Sequence, residues 1–108
     1  MVYLINNVWC PHDKPNEVAK KYLEIIKKYP PDPALGTIVA ILVRSNKDNV
    51  HVIGIGKVKK GKLTENIKRT TESNQMMANS IEGFKYEVST YLDITEAYDI
   101  LGMKAPDI

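Results

Sequence analysis

One cysteine, two arginines, one tryptophan and one phenylalanine are all that 108 residues hold of those four types. A single thiol, Cys10, cannot close a disulfide within the chain, so no covalent staple is expected and a reducing cytoplasm is the natural compartment. With thirteen lysines and only two arginines, the surface is strongly hydrated and offers few planar forks for gripping phosphate. No apolar run approaches the ~20 residues of a membrane span, and no charged start precedes an apolar stretch with a cleavage site. Repeats, low-complexity tracts and linker-like stretches are missing as well. What is present is ordinary globular composition, 44% hydrophobic and 26% charged with a net charge of +2. That excludes disorder and a polybasic tail, and the length suits one domain over residues 1–108 with one core.

Periodicity assigns the elements. Val2–Trp9 is apolar at nearly every position apart from Asn6 and Asn7 and reads as a strand, broken by Cys10, Pro11, His12 and Asp13. Asp13 is placed to cap a helix whose first turn accepts Pro15. Val18, Ala19, Tyr22, Leu23, Ile26 and Tyr29 form its apolar stripe, and Pro30 and Pro31 end it. Ile38–Val43 is an unbroken, β-branched run, a second strand that turns at Asn46–Asn49 into a third, Val50–Val58. A second helix is predicted from Thr64 to Ile81, closed by Gly83 in a left-handed cap. Phe84–Leu92 alternates as a fourth strand, and Asp93 with Glu96 opens a short terminal helix that stops at Gly102. The order βαββαβ plus a short C-terminal helix is the split-βαβ, ferredoxin-like α+β pattern. Right-handed crossovers place strands one and three in the middle of a four-stranded antiparallel sheet, with both long helices on one face.

Helices cover only one face of such a sheet, and a face left to water should alternate apolar with polar. Only the fourth strand does. The first has Val2, Leu4 and Val8 on one face and Tyr3, Ile5 and Trp9 on the other. In the second, Val39, Ile41 and Val43 oppose Ile38, Ala40 and Leu42, and in the third Val50 and Val52 oppose Ile53 and Ile55. At roughly 25 cal/mol per Å², leaving that surface wet forfeits several kcal/mol. A second copy packed sheet to sheet is therefore expected: a homodimer, with a higher assembly of such pairs also open.

Gly61, Lys62 and Leu63, then a polar helix, then Ile81–Glu87 and Ile94–Gly102, resemble a family of small prokaryotic proteins in the dimeric α+β barrel superfamily. The likeness spans nearly the whole chain but is architectural, with no catalytic signature. It implies a fold and a dimer. The superfamily includes cofactor-free monooxygenases, lactone isomerases, haem-degrading enzymes and ligand sensors, so activity stays open.

Topology gathers both histidines, the cysteine and the tryptophan at one pole. The start of strand three brings His51 beside the end of strand one, near Trp9, Cys10, His12 and Asp13, with Tyr86 at the start of strand four. His12 or His51 could act as general base there, with Asn7, Tyr86 or Tyr91 as orienting donors. The plainer alternative is that Pro11, His12 and Asp13 make a turn and a cap while His51 sits beside a hairpin. A zinc site from Cys10, His12, His51 and Asp13 is chemically allowed, but the spacing lacks a paired second half, and no metal or cofactor is expected. The second helix is polar where packing would place leucine, at Thr70, Thr71, Ser73, Asn74 and Gln75. Either it is loosely packed, or it roofs a polar pocket over Gly54 and Gly56 with Met77 and Tyr86 in the walls.

Two near-motifs are set aside. Gly56–Lys62 (GKVKKGK) matches a phosphate loop up to Leu63, which replaces the magnesium-holding Ser or Thr, and it lies in a hairpin strand. Val2–Asn6 fits the first strand of RNA recognition modules, yet Val50–Val58 carries no aromatic on which a base could stack, and a charge of +2 gives little counterion release. The basic residues Lys57, Lys59, Lys60, Lys62, Lys68 and Arg69 share a pole with Asp93, Glu96 and Asp99, which suggests a charge-complementary rim. The function expected is binding of a small, partly apolar ligand. The alternatives are a cofactor-independent oxygenase or isomerase using His12 or His51 with a tyrosine, and an RNA-binding module.

Overall fold

In the computed structural model, which describes residues 1–107, the chain runs β1 (Val2–Cys10), α1 (Pro15–Lys28), β2 (Gly36–Ser45), β3 (Val50–Val58), α2 (Leu63–Ser80), β4 (Lys85–Leu92) and α3 (Ile94–Ile100). The strands form one antiparallel sheet in the order β2-β3-β1-β4, so β1 and β3 are central. This is the ferredoxin-like α+β topology. None of the described helices is long and apolar enough to cross a membrane.

Local chemistry explains the boundaries. Lys14 N–H donates to Pro11 C=O at 3.0 Å, so residues 11–14 close a turn and Asp13 lies within it. The helix cap is therefore Lys14 rather than Asp13, with no side-chain capping bond and Pro15 at the first helical position. Asp93, by contrast, accepts from Glu96 N–H at 2.8 Å and caps α3. Asn46 organises the β2–β3 turn, its Oδ1 accepting from the amides of Asp48 and Asn49 at 2.8 Å each. Gly83 has φ +81, and a Cβ there would stand 2.6 Å from Pro11 Cγ. Only glycine fits both the left-handed backbone and that contact.

The register fixes the faces. Leu4, Asn6, Val8 and Cys10 of β1 stand opposite Gly56, Gly54, Val52 and Val50 of β3, and Val8 stands opposite Tyr86 of β4. These point to the helices, because Cys10 and Val50 pack with Ile25 of α1 and with Met77, Ile81 and Phe84 in the core. The buried line of α1 is turned from the predicted stripe. Ile25 is the residue that goes under, whereas Leu23 is 63% exposed. In β2 the pairing jumps between Ile38 and Ala40, leaving Val39 as a bulge. The expected alternation is therefore interrupted: Ile38, Ile41 and Val43 oppose β3 residues of the helix side, and Ala40 and Leu42 those of the other.

α2 keeps its polar middle by pairing it internally. Asn74, 3% exposed, donates through Nδ2 to Asn6 Oδ1 at 2.8 Å and accepts from Asn6 Nδ2 at 3.3 Å. Ser73 Oγ donates to Arg69 C=O at 2.9 Å. At the far end, Tyr29 donates to Glu72 Oε2 at 2.7 Å, and Arg69 donates to Pro30 C=O at 2.6 Å while facing Asp32. This knot fastens α1 to α2. The acidic start of α3 is met by the Met1 ammonium, which bonds Asp93 at 3.0 Å and pairs with Glu96. The predicted rim is thus arranged differently, with Arg69 turned to α1 and Lys62 to Glu65 of its own helix.

Two measurements follow. Asn74→Ala should cost about 1–3 kcal/mol in urea unfolding, because it strands the Asn6 amide, while a double Asn6→Leu, Asn74→Leu variant should lose less than either single one. The hydrogen bond to Glu72 holds the Tyr29 hydroxyl above its ordinary value of 10, aided by burial and the Glu72 charge and opposed by Arg69. A raised folded value gives stability that is present below the unfolded value and lost as pH climbs through the folded one. Between pH ~8 and ~11, Tyr29→Phe should therefore lose stability less steeply than the wild type.

Candidate functional site

The helix-free face is a grid set by the register. Tyr3, Ile5, Asn7 and Trp9 of β1 stand opposite Lys57, Ile55, Ile53 and His51 of β3, and opposite Tyr91, Ser89, Glu87 and Lys85 of β4. On β2, Thr37, Ala40, Leu42 and Arg44 complete the rows. The middle of the face is apolar on β2 and β3 and at Ile5 of β1, through Ala40, Leu42, Ile53 and Ile55, and is edged by Asn7 and by Ser89 and Glu87 of β4. The row at the β2–β3 turn end is Lys85, Trp9, His51 and Arg44, spanning about three strand spacings or ~14 Å.

Within that row Trp9 and His51 stack, with ring centroids 4.9 Å apart and planes 16° from parallel. His51 Nε2 donates to Asn7 Oδ1 at 2.8 Å. That bond holds the imidazole flat and leaves Nδ1 as the ring's free nitrogen, able to accept a proton or a hydrogen bond. An aromatic platform, an oriented imidazole and an amide thus share one end of an otherwise apolar face.

The other residues singled out from sequence lie elsewhere. Tyr86 shares the pole with His51 but projects from the helix side, where its hydroxyl accepts from Gln75 Nε2 at 2.5 Å. The sheet itself separates the two. Tyr91 is on the open face opposite Tyr3, six residues of strand and roughly 20 Å from the Trp9 row. His12 Nε2 donates to the Asn46 carbonyl at 2.5 Å, tying the β1–α1 loop to the β2–β3 turn. Asn74 and Met77 are core positions. The space beside Gly54 is taken by Asn6, whose Cβ and carbonyl stand 3.9 Å from the position of a glycine Cβ. Amides therefore fill what the sequence left open as a polar pocket. Cys10 lies on the helix side and His51 on the other, and among the described residues no three His, Cys, Asp or Glu side chains gather for a metal ion.

A cleft of about 290 Å³ opens at the same end of the sheet, lined by Trp9, Cys10, Pro11, Asp48, Asn49, Gly83 and Lys85. A shallower depression of about 380 Å³ runs along α2 beside Thr64, Ile67, Lys68, Thr71 and Glu72. Sequence reasoning placed Lys85 at this pole but passed over Arg44. Arg44 was legible, because a tight turn at Asn46–Asn49 necessarily sets residue 44 across from residue 51.

The topology defines a class, the ferredoxin-like α+β proteins, and solved structures of that class resemble this chain. A de novo designed protein, Foldit4, aligns with a TM-score of 0.57 at 16% identity over 85% of this chain and 97% of its own. A conserved protein from Methanosarcina mazei Go1 gives 0.51 at 13% identity, over 83% of this chain and 89% of its own. A candidate antibiotic biosynthesis monooxygenase from Caulobacter crescentus CB15 gives 0.50 at 11% identity, over 83% and 86%. No protein-family model matches the sequence, and no curated protein matches it at a significant level. At these identities the likeness establishes the fold.

Burial pushes the Cys10 thiol above its ordinary value of 9.0, and the Asp13 charge adds to the effect. Cys10 is therefore a packed thiol rather than a nucleophile. At pH ~8 it should react with Ellman's reagent at least ~10-fold more slowly in the native protein than in urea.

Proposed function

We propose that the chain is a homodimer that packs its open sheet face against a second copy and binds a small, partly apolar molecule at the Trp9–His51 end of that face. The observation that carries this reading is the uncovered apolar grid. A 12.2 kDa chain exposes 7536 Å², against about 6,100 Å² for a compact monomer of that mass. Its radius of gyration is 15.6 Å, where a compact chain of this length has about 13 Å. The excess of about 1,400 Å² is shared between the open face, where Leu42 and Tyr91 are exposed, and the helix side of β2, where Ile38, Ile41 and Val43 are exposed. A standard stable interface takes ~800 Å² from each partner. A slab of 48 × 32 × 18 Å is the shape of half a sandwich.

Small-molecule binding draws on chemistry that packing does not need. A stacked tryptophan and histidine, with the imidazole oriented by Asn7, gives an apolar platform with one directional polar group. A second reading, a cofactor-independent oxygenase or isomerase with His51 as the base, is favoured by the same imidazole and by the fold shared with the Caulobacter protein. In that case His51→Ala would abolish turnover and leave binding in place.

Sedimentation should give about twice 12.2 kDa for the wild type at micromolar concentration. Ile53→Glu, placed in the middle of the open face, should run as a folded single chain with unchanged far-ultraviolet dichroism. A wild type that sediments as one copy would remove the pairing. Ligand binding is read separately with the neutral dye N-phenyl-1-naphthylamine, which should accept excitation energy from Trp9, the sole tryptophan.

A further inference from the structure

The end row of the open face carries positive charge that its own chain does not neutralise, and from it we infer that the site takes an organic anion: a flat or bulky apolar body bearing one carboxylate or sulfonate-like group. The inference rests on the proposed binding site and specifies its ligand class.

Arg44 stands directly opposite His51 on β2, with Cα atoms about 5 Å apart. Two residues back on the same face is Leu42, opposite Ile53. A molecule lying on the Trp9–His51 platform, at the edge of that apolar middle, would therefore present its polar end to Arg44, with the free Nδ1 of His51 beside it. Among the described residues neither the Arg44 nor the Lys85 side chain enters an ion pair or a hydrogen bond, whereas Arg69, the other arginine, has both.

The acids that face this row are few. Glu87 lies on β4 two residues from Lys85 and opposite Asn7, so it offsets Lys85. Asp48 sits in the β2–β3 turn beside Lys47 and lines the end cleft. Neither bonds Arg44. In a free chain this costs nothing, because Arg44 is exposed to water. Once a second copy covers the apolar middle, the row becomes the edge of a low-dielectric layer, where an unpaired guanidinium is disfavoured and a bidentate anion is strongly preferred. A neutral ligand would satisfy the platform and leave that cation without a partner.

Two dyes that share one body test the charge alone: N-phenyl-1-naphthylamine, which is neutral, and 8-anilino-1-naphthalenesulfonate, its anionic counterpart. With energy transfer from Trp9 as the signal, the sulfonate should bind at least ~10-fold more tightly and saturate at one per chain. Arg44→Gln should erase that preference while leaving the neutral dye's affinity and the dimer mass unchanged. Lys57→Gln, which removes the same charge from the far end of the face, should leave the preference intact. Equal binding of the two dyes to a dimer would overturn the anionic class and keep the site. Equal losses in the Lys57 and Arg44 variants would also overturn it, by showing only a general field. If neither dye accepts energy from Trp9, the site itself is wrong and this inference falls with it.

Discussion

A sheet has two faces, and this chain has helices for one. Every notable feature of the molecule follows from that shortfall. Three of the four strands are apolar on both sides, and the two long helices gather over the end of the sheet where Cys10, Val50 and Phe84 meet Ile25, Met77 and Ile81. The interior they build is thin, and among the described residues no side chain in it is wholly sealed from water. Such a layer is marginal alone, since the area a chain of this size buries barely exceeds the entropy it gives up on folding. The proposed pairing of open faces would supply the missing second wall.

The polar residues divide according to the same geometry. On the helix side polar groups are satisfied in closed pairs, Asn6 with Asn74, Tyr29 with Glu72 and Gln75 with Tyr86, and such pairs fix how the helices sit. On the open side, among the described residues, His51 is joined to Asn7, Ser89 and Glu87 line the β4 edge, and Arg44 and Lys85 stand in the end row. Groups that are already matched have nothing left to offer a ligand. Among the described residues of the end row, Arg44 and Lys85 carry side-chain donors that no ion pair or hydrogen bond takes up, beside the Trp9–His51 stack.

Much of this was readable from the residues. β3 begins and ends where its flanking turns require, and the alternation of Phe84, Tyr86 and Val88 places that side of β4 against the helices. The same alternation already separates Tyr86 from His51, since Val8, opposite Tyr86, has the parity of Leu4 rather than of Trp9. Other features left no trace in the sequence. An unbroken run from Ile38 to Val43 looks alike in either register, so the bulge at Val39 is invisible. The Asn6–Asn74 pair joins two amides 68 positions apart, and either alone reads as an unfilled space. Asp13 lost its capping role to a turn that only the Pro11 carbonyl reveals, and the rotation of α1 onto Ile25 depends on where the sheet lies beneath it.

The bulge has a last implication. A strand greasy on both sides gains nothing from one alignment over its neighbour, so β2 is held in place from its ends. At one, Asn46 clasps the reversal into β3. At the other, Gly36 runs so close to Lys57 that a methyl group would meet its carbonyl at 2.3 Å. Val39 absorbs the mismatch in length between these two anchors. β2 is thus the strand whose misalignment would go unpunished by solvent during folding, and a chain that had lost either anchor would be the one to mispair, or to zip its outer edge onto a neighbour in an unending ribbon.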